Sequence, residues 1–318
     1  MLSLHKKYVE EIFDDRGFIK DYRLVCPENF NFAYDVVDEI AQHEPDRKAL
    51  VWCDPAGNEK VFTYGELKYY SDKTANLFKN KGIAKGDRVM VILKRHYQFW
   101  FVILALHKIG AVIIPATFLL TAHDVVYRAN AAGVKAIVCT GQGNVAAQID
   151  EALPECQTVQ IKMMLNGSRE GWEDFMALME SADSRLERIA TEADEPMLLY
   201  FSSGTTGNPK MALHNYRYAL AHLTTAKYWQ NVQPEGLHLT IADTGWGKAA
   251  WGKLYGQMFL ESCVFVYDFD KFVPAEILSL VEKYSITSLC CPPTMFRFLL
   301  QEDIARYNLS SLEYCTIA

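Results

Sequence analysis

The sequence has no surplus of positive charge, no paired-cysteine motif and no uninterrupted apolar stretch of membrane-spanning length. Its 32 Lys and Arg stand against 39 Asp and Glu, a formal net charge of −7. That balance disfavours general binding to nucleic acid or an anionic membrane and confines any phosphate site to a local pocket. Eight cysteines (Cys26, Cys53, Cys139, Cys156, Cys263, Cys290, Cys291, Cys315) are scattered without a C-x-x-C pair. Most sit in apolar runs, which suits reduced, buried thiols in a cytoplasmic protein better than a disulfide framework or a zinc site. The N-terminus turns acidic without the apolar core of about 7–15 residues that a secretory signal needs. The stretch 99–120 is nearly all apolar, yet His107, Lys108, Gly110 and Pro115 interrupt it. A central Lys costs about 2.5–3.5 kcal/mol on insertion, so the stretch reads as a buried helix running into a buried strand rather than a transmembrane segment.

What is present is a regular alternation. The 318 residues are 50% hydrophobic and 22% charged, enough for two domains or one large α/β unit. Apolar runs predict strands at 49–53, 88–93, 111–114, 136–139, 159–163, 197–202, 238–241, 263–267, 286–290 and 312–317. Amphipathic or apolar stretches between them predict helices at 31–43, 64–81, 98–108, 122–132, 172–182, 216–229, 249–259 and 274–284. Near-continuous apolar strands separated by helices indicate largely parallel sheets buried on both faces. Thr63 and Glu66 match a capping box at one helix start, and Gly82 stops that helix. The acidic stretch 181–195 is the best linker candidate. The last residues, 312–318, read as a strand entering the core with nothing to close it, so the chain is expected to be an N-terminal portion of something longer.

The most unusual segment follows the strand at 197–202: Ser202-Ser203-Gly204-Thr205-Thr206-Gly207-Asn208-Pro209-Lys210. Hydroxyls donate hydrogen bonds, glycines let backbone N–H groups approach an anion, and Lys supplies compensating charge, so a polyphosphate is the expected guest. The order is neither a Walker A loop, which needs G-x-x-x-x-G-K-[ST], nor G-x-G-x-x-G. Composition alone also permits a plain Ser/Thr/Gly surface loop. Position favours the first reading, because open α/β sheets place ligands beyond the carboxyl ends of their strands.

Residues 200–210 resemble the phosphate-binding signature of the adenylate-forming superfamily, which holds acyl-CoA synthetases, luciferase-like enzymes and peptide-synthetase adenylation domains. Phe62-Thr63-Tyr64-Gly65-Glu66-Leu67, the stretch 105–115 and Asp243-Thr244-Gly245-Trp246 resemble further family segments in the same order, the last being similar to medium-chain and acetyl-type acyl-CoA synthetases. The resemblance implies an α/β fold of two packed subdomains with largely parallel sheets flanked by helices: one at 61–211, the other combining 25–60 with 212–318. It implies ATP, Mg2+ and coenzyme A as cofactors and a small-molecule carboxylate, medium-chain or aromatic, as substrate. By similarity Ser202, Ser203, Gly204, Thr205, Thr206, Gly207 and Lys210 would hold the β- and γ-phosphates, and Trp246 and Gly247 would wall the acyl pocket. The adenine, ribose and magnesium motifs and the catalytic Lys have no counterpart before Ala318, so no catalytic residue and no metal ligand is assigned. A peptide-synthetase adenylation domain, which keeps a substrate-pairing Asp, and a non-catalytic ATP-binding module are the rivals.

Several other residues carry a plainer reading beside a functional one. Trp246 could equally be core. Trp251, Tyr255 and Met258 at helical spacing read as core, and Asp243 reads as a turn residue. His214 and His222 could serve as bases, but without a partner carboxylate they read as structural. Cys290 and Cys291 read as strand packing.

Overall fold

The computed structural model describes residues 2–202 and 207–318. In chain order its strands are β1 (Val9–Phe13), β2 (Ile19–Leu24), β3 (Lys48–Cys53), β4 (Glu59–Thr63), β5 (Arg88–Ile92), β6 (Val112–Pro115), β7 (Val134–Thr140), β8 (Ile161–Leu165), β9 (Glu173–Asp174), β10 (Pro196–Ser202), β11 (Lys210–Asn215), β12 (Leu237–Thr240), β13 (Cys263–Tyr267), β14 (Ser288–Cys291) and β15 (Tyr314–Ile317). β1 and β2 form an antiparallel hairpin. One seven-stranded sheet has the order β11-β10-β6-β5-β7-β8-β9, and one six-stranded sheet the order β15-β14-β12-β13-β3-β4. Each sheet is parallel except for one edge strand, β11 on β10 and β4 on β3. The central strands β5, β6 and β13 are buried along nearly their whole length, which is why their sequences are unbroken Val, Ile, Met and Phe rather than alternating.

β4 and β11 depart from the sequence expectation. Both were missed because they are short edge strands with apolar residues left in solvent: Val61 is 41% exposed, Met211 49% and Leu213 56%. The expected boundary at 61 therefore falls inside β4, and that at 211–212 falls inside β11. The single helix expected at 249–259 is two, Gly247–Lys253 and Tyr255–Phe259. Leu254 leaves the helical region (φ −146°, ψ −80°), and Gln257 Oε1 accepts its N–H at 3.1 Å. Gly252 and Gly256 flank the break and weaken the helix there; Gly256 also lets the second helix close onto His222, whose carbonyl oxygen would lie 2.3 Å from an added Cβ.

Helix Gln98–Lys108 is buried on every side, as a helix apolar all round must be. It runs through the main core, which joins residues of both sheets, and Trp100 Nε1 donates to Lys253 O (3.1 Å) on the neighbouring unit. The Lys that interrupts its apolar run is neutralised in place. Lys108 is 0% exposed; its Nζ donates to Asp38 Oδ1 (2.7 Å), Asp72 Oδ1 (2.7 Å) and Ser71 Oγ (2.9 Å). Burial pushes the Asp38 carboxyl up, and the Lys108 charge opposes that shift.

Replacing Lys108 by Met keeps the volume but leaves the partly buried Asp38 without its bonded cation and the buried Asp72 with Lys68 alone. The variant is expected to lose about 3–5 kcal/mol of unfolding free energy. Urea unfolding measures this, and a loss below about 1 kcal/mol would show that the cluster does not hold the helix in place.

Candidate functional site

The loop singled out in the sequence is the connection of the β10–β11 hairpin. Its base is registered by the pair Ser202↔Lys210: Ser202 Oγ donates to Lys210 O at 3.3 Å, and Tyr127 OH donates to Pro209 O at 2.9 Å. Gly207 takes φ +85° with no atom of the described residues near its Cβ position, a backbone state that favours Gly. Ser203, Gly204, Thr205 and Thr206 lie outside the described residues. Ser202, Gly207 and Lys210 are exposed, and among the described residues no carboxylate pairs with Lys210. An uncompensated cation beside a Gly/Ser turn, at the carboxyl end of a buried strand, suits an anionic ligand.

Behind the loop, Tyr200 is buried and its enclosed hydroxyl finds no hydrogen-bond partner among the described residues. Burial holds that phenol well above its ordinary range. The Tyr200 ring faces Gly247: a Cβ there would sit 3.9 Å from Tyr200 Cε2, ordinary contact distance. Trp246 is 60% exposed, which removes the core reading and leaves its indole on the open side of the same corner. Trp251 packs on Trp229 at 5.6 Å between ring centroids, while Tyr255 and Met258 are core as expected.

Trp246 and Gly247 are carried by a turn that crosses the seam between the sheets. Thr244 donates to Lys94 O through both its N–H (3.1 Å) and its hydroxyl. Asp243 Oδ1 accepts the Gly245 N–H at 2.9 Å, and Oδ2 lies 3.3 Å from Arg95 Nη1. Asp243 is thus the turn residue expected, and also half of a buried ion pair. Burial pushes its carboxyl up, while the Gly245 N–H and Arg95 pull it down. Gly245 is pressed so closely on the loop after β6 that an added Cβ would lie 2.3 Å from Ala116 C and Thr117 N. Next to Arg95, His96 joins Asp268 (2.6 Å) and Thr140 (2.8 Å) across the seam. A cavity of about 750 Å³ opens beside these groups, with Trp52, Lys94, His96, Tyr97, Gln142 and Asp268 on its wall.

Lys253 closes the site from below. It is 1% exposed and donates to Ala242 O at 2.7 Å. Burial, assisted by Arg95, lowers its amine from the ordinary 10.5 to about 7. Sequence reasoning missed Arg95, His96 and Lys253. Each sits in or beside an apolar run without a motif, and only packing brings them to the turn. His214 and His222 both pack against Tyr218, at 4.0 and 4.4 Å between ring centroids, as structural histidines would, and burial lowers both, His222 to about 4. Cys290 and Cys291 are buried. Among the described residues no group of three or more His, Cys, Asp or Glu could hold a metal ion, and no helix is long and apolar enough to cross a membrane.

Comparison with known proteins gives concordant results. Residues 37–318 match the family described as AMP-binding enzyme. Curated relatives include the mitochondrial acyl-coenzyme A synthetase ACSM5 of Homo sapiens, 36% identical over 92% of this chain and 52% of that protein. ACSM4 of Rattus norvegicus, also mitochondrial, is 36% identical over 95% of this chain and 53% of its own length. The chain therefore spans about half the length of the curated relatives it matches. Among solved structures, an anthranilate CoA ligase in complex with anthranoyl-AMP superposes with TM-score 0.84 at 18% identity, covering 91% of this chain and 55% of that one. A Brucella canis acyl-CoA synthetase superposes with TM-score 0.77 at 22% identity, covering 86% and 49%.

The displaced Lys253 amine has a consequence for stability. The unfolded chain binds this proton below pH 10.5, whereas the folded chain binds it only below about 7. Between those values the unfolded state holds more protons, so stability relative to a Lys253→Met variant should rise with pH from about 7 to 10.5 and be flat below 7. Denaturant unfolding of both proteins across that range tests it, and a difference independent of pH would place the amine at its ordinary value.

Proposed function

Because the chain belongs to the AMP-binding enzyme family, we propose that its protein activates a carboxylic acid with ATP to an acyl-adenylate and pyrophosphate, then passes the acyl group to coenzyme A. The observation that carries this reading is the family match over residues 37–318. Support comes from relatives named acyl-coenzyme A synthetases and from the fold shared with a ligase bound to anthranoyl-AMP. In the first step a carboxylate oxygen attacks the α-phosphorus, the bond from that phosphorus to the bridging oxygen breaks, and pyrophosphate leaves. Such a transfer needs positioning and charge compensation more than acid–base catalysis.

On this reading the loop from Ser202 to Lys210 holds the β- and γ-phosphates. Backbone N–H groups freed by Gly204 and Gly207, the hydroxyls of Ser202, Ser203, Thr205 and Thr206, and the Lys210 amine balance the charge of the departing pyrophosphate. Magnesium accompanies ATP as its counter-ion, with no residue of this chain assigned to it. Trp246 and Gly247 wall the acyl site: Gly247 leaves space beside Tyr200, and the half-open indole offers an apolar face to a medium-chain or aromatic acid. The stretch between β4 and the end of β11, and the segments on either side of it, serve as two halves of one binding unit. A cytoplasmic setting is part of the proposal, supported by the eight free cysteines.

One observation weighs against activation of amino acids. Asp243, the carboxylate on the turn, is already engaged by Arg95 and the Gly245 N–H, so it does not offer a free charge to an ammonium group. Carboxylate-dependent exchange of labelled pyrophosphate into ATP by the full-length protein tests the function. Exchange with medium-chain or aromatic acids is expected, and ATP binding without exchange would identify a non-catalytic module instead.

Two substitutions probe the assigned roles. Lys210→Ala should lower the exchange rate roughly 100-fold by removing charge from the leaving group, and an unchanged rate would take Lys210 out of the mechanism. Trp246→Ala should change the ranking of acids by chain length; a uniform loss over all acids would instead mark a folding defect.

A further inference from the structure

The turn bearing Trp246 and Gly247 is tied to groups of both sheets. Ties on its own side include Gly245 N–H to Asp243 Oδ1 (2.9 Å), Trp246 N–H to Asp243 O (3.2 Å) and Lys253 Nζ to Ala242 O (2.7 Å). From the seven-stranded sheet come the Lys94 carbonyl under Thr244, the backbone at Ala116 and Thr117 against Gly245, and the Arg95 guanidinium on Asp243. Arg95 is itself immobilised. It is 7% exposed, its guanidinium carbon lies 4.2 Å from the centre of the Phe269 ring, Nη2 donates to Phe269 O, and its carbonyl accepts the Trp52 indole N–H at 3.1 Å. One planar fork thus reaches the loop after β12 and the loop after β13 from the end of β5, a span a single-point ammonium cannot copy.

We propose that Arg95 is a positioning residue for carboxylate recognition: by holding Asp243, it sets where Trp246 and Gly247 stand relative to Tyr200, and hence which acids fit. This rests on the assignment of Trp246 and Gly247 to the acyl wall. Arg95 touches neither the acid nor ATP. It acts through the turn, so its influence falls on the acid and leaves the phosphate loop, held at the base of β10 and β11, unaffected.

The test uses full-length protein with Arg95→Met and Arg95→Lys, assayed by pyrophosphate exchange while carboxylate and ATP are varied separately. Arg95→Met should raise KM for the carboxylate roughly 10- to 100-fold, keep KM for ATP within about twofold, and narrow the discrimination between short and long acids. Arg95→Lys should recover part of the loss. Amide hydrogen exchange over 244–248 gives a readout independent of activity: those amides should exchange faster in Arg95→Met, with helix 98–108 unchanged. If Arg95→Met does not fold, Asp243→Asn serves in its place, because it removes the charge and keeps an oxygen for the Gly245 N–H. Parallel rises in both KM values, or a fall in kcat alone, would overturn the proposal, as would unchanged exchange over 244–248. A wild-type protein that shows no carboxylate-dependent exchange would refute the functional reading, and the specificity proposal with it. Faster amide exchange in the variant would then show only that Arg95 holds the turn.

Discussion

Two parallel sheets meet at their carboxyl ends, and the constraint that fixes how they meet is steric. At Gly245 an added Cβ would fall 2.3 Å from the backbone of Ala116 and Thr117, so the loops after β6 and β12 touch main chain to main chain. Once they do, Lys94, Thr244, Arg95 and Asp243 come within bonding distance, and Trp246 and Gly247 are delivered to a corner beside Tyr200. The candidate site is therefore an outcome of sheet docking rather than a feature of either sheet. This agrees with the general placement of ligands beyond strand carboxyl ends.

The buried polar clusters at Lys108 and at the seam have different roles. Around Lys108 two carboxylates and a hydroxyl surround one cation inside a helix layer. That arrangement makes a charge tolerable within an apolar run. At the seam, Arg95 with Asp243 and His96 with Asp268 link loops from both sheets, and Lys253 holds Ala242 O on one side of it. Hydrophobic contact would hold the sheets together but would leave the loops free to slide. Directional bonds between enclosed groups restrict them to one register, because any displacement strands a buried charge.

The two candidate ligand elements are held in different ways. The wall turn is bound by a steric lock and an ion pair, and among the described residues the base of the loop is held by the pair Ser202↔Lys210 and by Tyr127. A fixed wall suits selection among acids by shape, and a phosphate loop needs only a defined base from which its N–H groups converge on an anion.

Much of this was legible beforehand. The unbroken apolar runs at β5, β6 and β13 declared buried parallel strands, Thr63 and Glu66 declared a helix start that forms as a capping box, and the order of residues 200–210 carried the family. Other features could not be read. β4 and β11 are edge strands whose exposed apolar residues break the expected pattern, and the kink at Leu254 depends on Gln257 and the approach of His222. Trp246 permitted pocket or core with equal force until its 60% exposure removed the core. Local chemistry in sequence order thus determined the sheets, the phosphate-loop motif and the family, because strand burial, capping and loop composition act over a few neighbouring residues. The partnership of Arg95 with Asp243, 148 positions apart, was decided by tertiary structure alone, because no local signal records which loops two sheets will bring together.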